Sequence, residues 1–70
     1  MTPDVIDILS NITRRPPSAF SAHSPFELDS LDRWELALAV EDRWRLEIPE
    51  HVSERWRTPA DVVRYLETRT

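Results

Sequence analysis

The sequence predicts an all-α protein, a small bundle of three main helices with a short fourth helical element. Three observations lead there. Apolar residues recur at helical spacing in three separate stretches. Each stretch opens on a cap-and-proline or cap-and-acid signal. No segment alternates apolar and polar residues in the way that a half-buried strand would.

The first helix is expected over about residues 3–13. Thr2-Pro3 offers a cap followed by proline at the first helical position, and Val5, Ile6, Leu9 and Ile12 follow at helical spacing. Pro16-Pro17 closes it. Residues 14–28 lack periodicity and read as a long loop, with Phe20, Phe26 and Leu28 placed to pin it onto the core. Asp29 and Asp32 form an Asp-x-x-Asp capping pattern that opens a second helix over about 30–46. Pro49 biases Ile48 away from helix and so ends that element near Leu46. A short helix fits about residues 50–56, with Val52 and Trp56 one turn apart. Thr58-Pro59-Ala60-Asp61 combines cap, first-turn proline and capping-box acid, and starts a last helix over about 59–68 with Val62, Val63 and Leu66 facing inward.

Seventy residues make one domain, 1–70, near the lower size at which a chain folds without staples. There is no cysteine, so disulfides and thiolate metal sites are excluded, and no metal-ligating pattern stands elsewhere. With no glycine and six prolines, the turns depend on proline and on Ser, Thr, Asp or Asn caps. No apolar run approaches the roughly 20 residues of a membrane span, and the N-terminus has no signal-peptide pattern. A cytoplasmic, soluble monomer with no membrane insertion is the expectation.

The net charge is −4, and its distribution says more than its total. Residues 27–54 hold nine acids against three arginines, a local balance of −6, while the rest of the chain carries +2. That argues against nucleic acid, whose binding requires neutralised phosphates. It suits partners with basic docking surfaces, although a solvated acidic face would have the same composition.

The second helix has two apolar arcs. At about 100° per residue, Leu36, Ala37, Val40 and Trp44 gather on a core-facing arc. Leu31, Trp34 and Leu38 gather close to the opposite side, bordered by Glu35, Glu41 and Asp42. This second stripe is either a docking surface for a partner or ordinary core packed beneath the long loop.

Ser30 begins that helix. Serine at a helix start is most often a cap, but Asp29 already fills the cap position, which places Ser30 in the first turn with its hydroxyl free. A nucleophilic role would need a base and an oxyanion hole. The Gly-x-Ser-x-Gly elbow is absent, and His23 and His51 stand in no recognisable triad context, so no residue is assigned a catalytic role. Modification of the hydroxyl by another enzyme fits better. A phosphodiester there would sit at the positive end of the helix.

The segment Phe-Glu-Leu-Asp-Ser-Leu-Asp-Arg-Trp-Glu-Leu, Phe26 to Leu36, resembles the Asp-Ser-Leu signature of acyl carrier proteins and the Leu-Asp-x-x-Glu-Leu that follows it. The likeness continues without a gap through Val40-Glu41-Asp42-Arg43-Trp44 and the Glu47-Ile48-Pro49-Glu50 turn. It extends to Arg55-Trp56-Arg57-Thr58 and Val62-Val63-Arg64-Tyr65-Leu66. The resemblance implies a four-helix carrier fold. It implies that Ser30 receives 4′-phosphopantetheine from coenzyme A through a magnesium-dependent phosphopantetheinyl transferase, and that the arm carries acyl thioesters between enzymes of a fatty-acid, polyketide or other specialised pathway. It places Asp29, Leu31, Trp34, Glu35, Leu38, Glu41 and Asp42 where the family meets its partners: the transferase, acyl- or aminoacyl-loading ligases, acyltransferases and synthases.

The chain also departs from the family pattern. Glu27 replaces the usual glycine two residues before the aspartate, and Leu28 replaces a small residue, so the approach to Ser30 is expected to do without glycine conformations and to take its own path. Arg33, Arg43 and Arg45 reduce the acidity of the second helix, Trp34 is large for its position, and the loop between the first two helices is shortened relative to the family pattern. These features suit a specialised, free-standing carrier. The alternatives are an aminoacyl or peptidyl carrier, against which Asp29 speaks, a helical adaptor without an arm, and, last, a hydrolase using Ser30 and a histidine.

Overall fold

A computed structural model describes residues 1–69; the expected domain end at residue 70 lies outside them. The order is α1 (Thr2–Thr13), a 3₁₀ turn (Pro17–Ala19), α2 (Ser30–Trp44), α3 (Glu50–Ser53) and α4 (Pro59–Arg69). No strand occurs among the described residues, and the all-helical bundle expected from the sequence is the fold observed. None of the described helices is long and apolar enough to cross a membrane.

α1 starts one residue earlier than its pattern suggests, and Thr2 does not cap it. Met1 occupies the cap position with no side-chain bond, and its carbonyl accepts the Asp4 and Val5 N–H groups at 3.1 and 3.2 Å. The helix ends where Arg14 turns left-handed (φ 58°). The Thr13 hydroxyl donates back to the Leu9 carbonyl at 2.7 Å and accepts the Arg15 N–H, just past the helix end, at 3.3 Å.

The loop from α1 to α2 is pinned as its aromatic residues suggest. Phe20 and Phe26 are buried and Leu28 is half-buried. Two backbone hydrogen bonds tie the loop to the entrance of α4: Phe26 N–H to Arg57 O at 2.9 Å and Ala60 N–H to Ala22 O at 2.8 Å.

The core lies between α1, α2 and α4, where Val5, Leu9, Leu36, Val40, Val62 and Leu66 are almost fully buried. Phe26 and Trp56 are buried in the same core, Trp56 meeting Tyr65 edge-on at 6.1 Å between ring centroids. Removing this much apolar surface from water is the main force holding so short a chain together. Arg43 of α2 adds a peripheral tie to α1, pairing with Asp4 at 2.8 Å.

α2 and α3 are both shorter than their patterns suggest. Arg45 adopts a left-handed conformation (φ 54°) and ends α2 at Trp44, a position normally given to glycine or asparagine. α3 stops at Ser53; a turn then brings Trp56 into the core, so Val52 and Trp56 do not share one helix.

The start of α4 follows its sequence signal. The Asp61 carboxylate accepts the Arg57 and Thr58 N–H groups at 2.9 and 3.1 Å, and the Thr58 hydroxyl accepts the Asp61 N–H at 3.3 Å. Burial works against the charge on Asp61. The two backbone N–H groups, the nearby Arg64 charge and the Thr58 hydroxyl outweigh it and hold the carboxyl below its ordinary value.

Candidate functional site at the start of α2

Asp29 leaves the loop in extended conformation (φ −78°, ψ 179°) and caps α2, its Oδ1 accepting the Asp32 N–H at 2.8 Å. Its carbonyl accepts the Arg33 N–H at 3.0 Å, the first bond of the helix. Ser30 is therefore the first helical residue, and it is exposed. Its hydroxyl has no hydrogen-bond partner among the described residues, so capping does not compete with chemistry at its oxygen.

The approach to Ser30 is fixed at Phe26. Its N–H is bonded to Arg57 O, its carbonyl accepts from the Arg15 guanidinium at 3.2 Å, and its ring lies 5.7 Å from the Arg33 guanidinium carbon. Glu27 follows with φ 48°. The glycine-like conformation is thus used here without a glycine, contrary to the expectation drawn from Glu27. Burial of Phe26 on one side and the Asp29 cap on the other constrain the intervening backbone, and Glu27 carries the left-handed strain at its own φ.

The two arcs of α2 separate as the helical wheel suggests. Leu36 and Val40 face the core, with Ala37 and Trp44 half-buried at its edge. Leu31, Trp34 and Leu38 are 59%, 61% and 43% exposed, so the stripe beside Ser30 lies at the surface and not beneath the loop. On the same side of α2, Asp42 is exposed and Glu35 half-buried. Two of the acids assigned to docking have internal bonds: the Asp29 carboxylate caps α2, and Glu41 Oε2 accepts the Ile48 N–H at 2.8 Å.

Between α2 and α3 lies a cleft of about 410 Å³ with Ser30 on its wall. Trp34, Ala37, Leu38 and Ile48 supply its apolar surface, and Glu50 and Glu54 stand on the α3 side. Arg33 and Glu41 are also on its wall, and each reaches from α2 to the far side, Arg33 donating to the Ser53 carbonyl at 3.2 Å and Glu41 accepting from Ile48. These cross-links were not visible in the sequence, where their partners lie 20 and 7 residues away. His23 and His51 are exposed and neither lines this cleft.

The start of α2 thus presents an exposed, unbonded hydroxyl next to an apolar stripe. No family model matches the chain. Among curated relatives, a protein named "Acyl carrier protein" from Wolinella succinogenes is 50% identical over 40 residues, covering 57% of this chain and 53% of that protein. The chain thus matches about half the length of that relative. The mitochondrial acyl carrier protein of Saccharomyces cerevisiae is 30% identical over 70 residues, covering 89% of this chain and 56% of its own length. The acyl carrier protein of Bdellovibrio bacteriovorus is 38% identical over 69 residues, covering 93% of this chain and 88% of that protein. Likeness at that level along nearly the whole of both chains, joined to the four-helix fold, places this chain in the acyl carrier protein family.

Proposed function

We propose that this protein is a carrier whose Ser30 bears a 4′-phosphopantetheine arm, attached by a phosphopantetheinyl transferase, and that the arm's thiol shuttles acyl thioesters between enzymes of a dedicated biosynthetic pathway. The observation that carries the reading is the division of labour at the start of α2. Asp29 takes the capping bond, and the adjacent Ser30 hydroxyl stays exposed and unbonded. Family membership supports the same reading.

The chemistry required of the chain is small. The transferase supplies the phosphoryl-transfer step. The Ser30 hydroxyl gives its proton to a base of that enzyme, and its oxygen bonds to the pantetheine-side phosphorus of the coenzyme A pyrophosphate. The P–O bond to adenosine 3′,5′-bisphosphate breaks as that group leaves. This chain presents the oxygen and holds it in one place. The product phosphodiester lies beside the first-turn N–H groups of α2, where the helix dipole favours an anion. Leu31, Trp34 and Leu38 offer the partner an apolar contact, and Glu35 and Asp42 on the same side favour enzymes with basic surfaces around their entrances. Glu41 contributes chiefly by shaping the turn after α2.

Mass analysis of the Ser30-containing peptide from protein isolated from its host tests this reading. A phosphopantetheine adduct on that peptide is expected, and any thioester load on it identifies the cargo as acyl or aminoacyl. Host protein that is fully unmodified at Ser30, under conditions in which its pathway is active, contradicts the proposal.

A further inference from the structure

We propose that Arg33 is a positioning residue for the arm: its guanidinium holds the phosphate on Ser30 and keeps the root of the arm against the cleft between α2 and α3. The inference rests on the Ser30 reading above and adds to it the residue that receives the phosphate.

Ser30 and Arg33 are three residues apart on α2, so their side chains are neighbours on one face, and both stand on the wall of the same cleft. Arg33 is half-buried, and its guanidinium is held in place by one hydrogen bond to the Ser53 carbonyl and by its position over the Phe26 ring. The rest of its fork has no protein acceptor among the described residues. A fork already held in this way loses little entropy when it takes an anion, and guanidinium suits phosphate oxygens better than any other side chain.

The charges around Arg33 point the same way. In a chain with an excess of acids, no carboxylate lies within ion-pair distance of Arg33 or Arg57 among the described residues; the ion pairs there are Arg43–Asp4 and Arg64–Asp61. Burial, and then the like charge of Arg57, lower the pKa of Arg33, so its charged form is held in an unfavourable setting. Arg57 directs its own guanidinium to the carbonyls of Glu54 and Trp56, which fixes its charge near the same corner of the fold. A phosphodiester on Ser30 brings a negative charge to this uncompensated pair. A purely structural Arg33, acting only to tie α3 to α2 through Ser53, would feel that charge at a distance but would take none of the phosphate oxygens.

The test compares apo protein with protein loaded from coenzyme A by a broad-specificity transferase, intact mass reporting the loading. In ¹⁵N-labelled wild-type protein, the Arg33 Nε–Hε signal is expected to shift on loading and to exchange more slowly with water, while that of exposed Arg55 stays in place. Loaded wild-type protein is expected to melt about 2–4 °C above apo protein, as for one partly exposed ion pair in a domain of this size. That increment shrinks at high salt and falls to less than half in R33Q; taking it as a difference between loaded and apo forms of one variant removes any loss of intrinsic stability. Loading that leaves the Arg33 signal unmoved, or gives R33Q the wild-type increment, overturns the inference and leaves the Ser30 reading standing. Failure to load overturns both.

Discussion

Glu41 Oε2 accepts the Ile48 N–H at 2.8 Å, and through that bond α2 holds the strand of backbone leading to α3. The resemblance assigns this carboxylate to docking, but here it takes up a half-buried N–H that would otherwise be unpaired. Glu41→Ala should therefore lower stability by about 1–2 kcal/mol, with a fall in Tm of several degrees. Asp42→Ala, which removes an exposed acid with no such bond, should stay within about 0.5 kcal/mol of wild type. Urea denaturation of both variants measures the contrast, and equal effects would show that the Glu41 bond contributes nothing.

Glu27 holds φ at 48° with a side chain that would prefer otherwise. Glu27→Gly should raise stability by about 1 kcal/mol, the left-handed penalty of a non-glycine residue less the extra entropy glycine loses on folding. Glu27→Ala keeps the penalty and should bring no gain. Thermal melts of the two variants side by side give the answer; a stabilised alanine variant would mean that charge, not backbone strain, is at issue.

Asp61 sets part of the acid limit of the fold. Its folded-state carboxyl lies below the ordinary value of 3.8 because the Arg57 and Thr58 N–H groups, aided by Arg64 and the Thr58 hydroxyl, outweigh its burial. A lowered folded pKa contributes stability that is present above the unfolded value and is lost as pH falls from there through the folded one. Asp61→Asn should be less stable than wild type at neutral pH, and the gap should close as pH falls below about 4. A gap that stays constant with pH, followed by denaturation from pH 7 to pH 2, would contradict this assignment.

Trp34 is 61% exposed beside Ser30, and its loss should be felt by partners and not by the fold. Trp34→Ala should change stability by no more than about 0.5 kcal/mol, while raising the KM of a transferase or loading enzyme severalfold. Global unfolding of this variant would return Trp34 to the core.

Much of this was legible in local sequence. The helices, the Asp29 and Thr58–Asp61 caps and the split faces of α2 follow from spacing and from bonds spanning three or four residues, which periodicity and capping rules describe directly. The features that escaped depend on tertiary context. Arg45 ends α2 and Glu27 bends the approach to Ser30 in left-handed conformations that no glycine announces. The roles of Arg33 and Glu41 require knowing that Ser53 and Ile48 lie across the cleft. Arg43 likewise meets Asp4 across 39 residues of sequence. Charged residues on a helical wheel all look like surface, and only the fold shows which of them hold it together.

Intact mass before and after incubation with coenzyme A, magnesium and a phosphopantetheinyl transferase tests the role of Ser30 most directly. Wild-type protein should gain the mass of one 4′-phosphopantetheine, and Ser30→Ala, whose fold should be undisturbed because Asp29 caps the helix, should gain nothing. No gain by folded wild-type protein with several transferases, or an equal gain by Ser30→Ala, would contradict it.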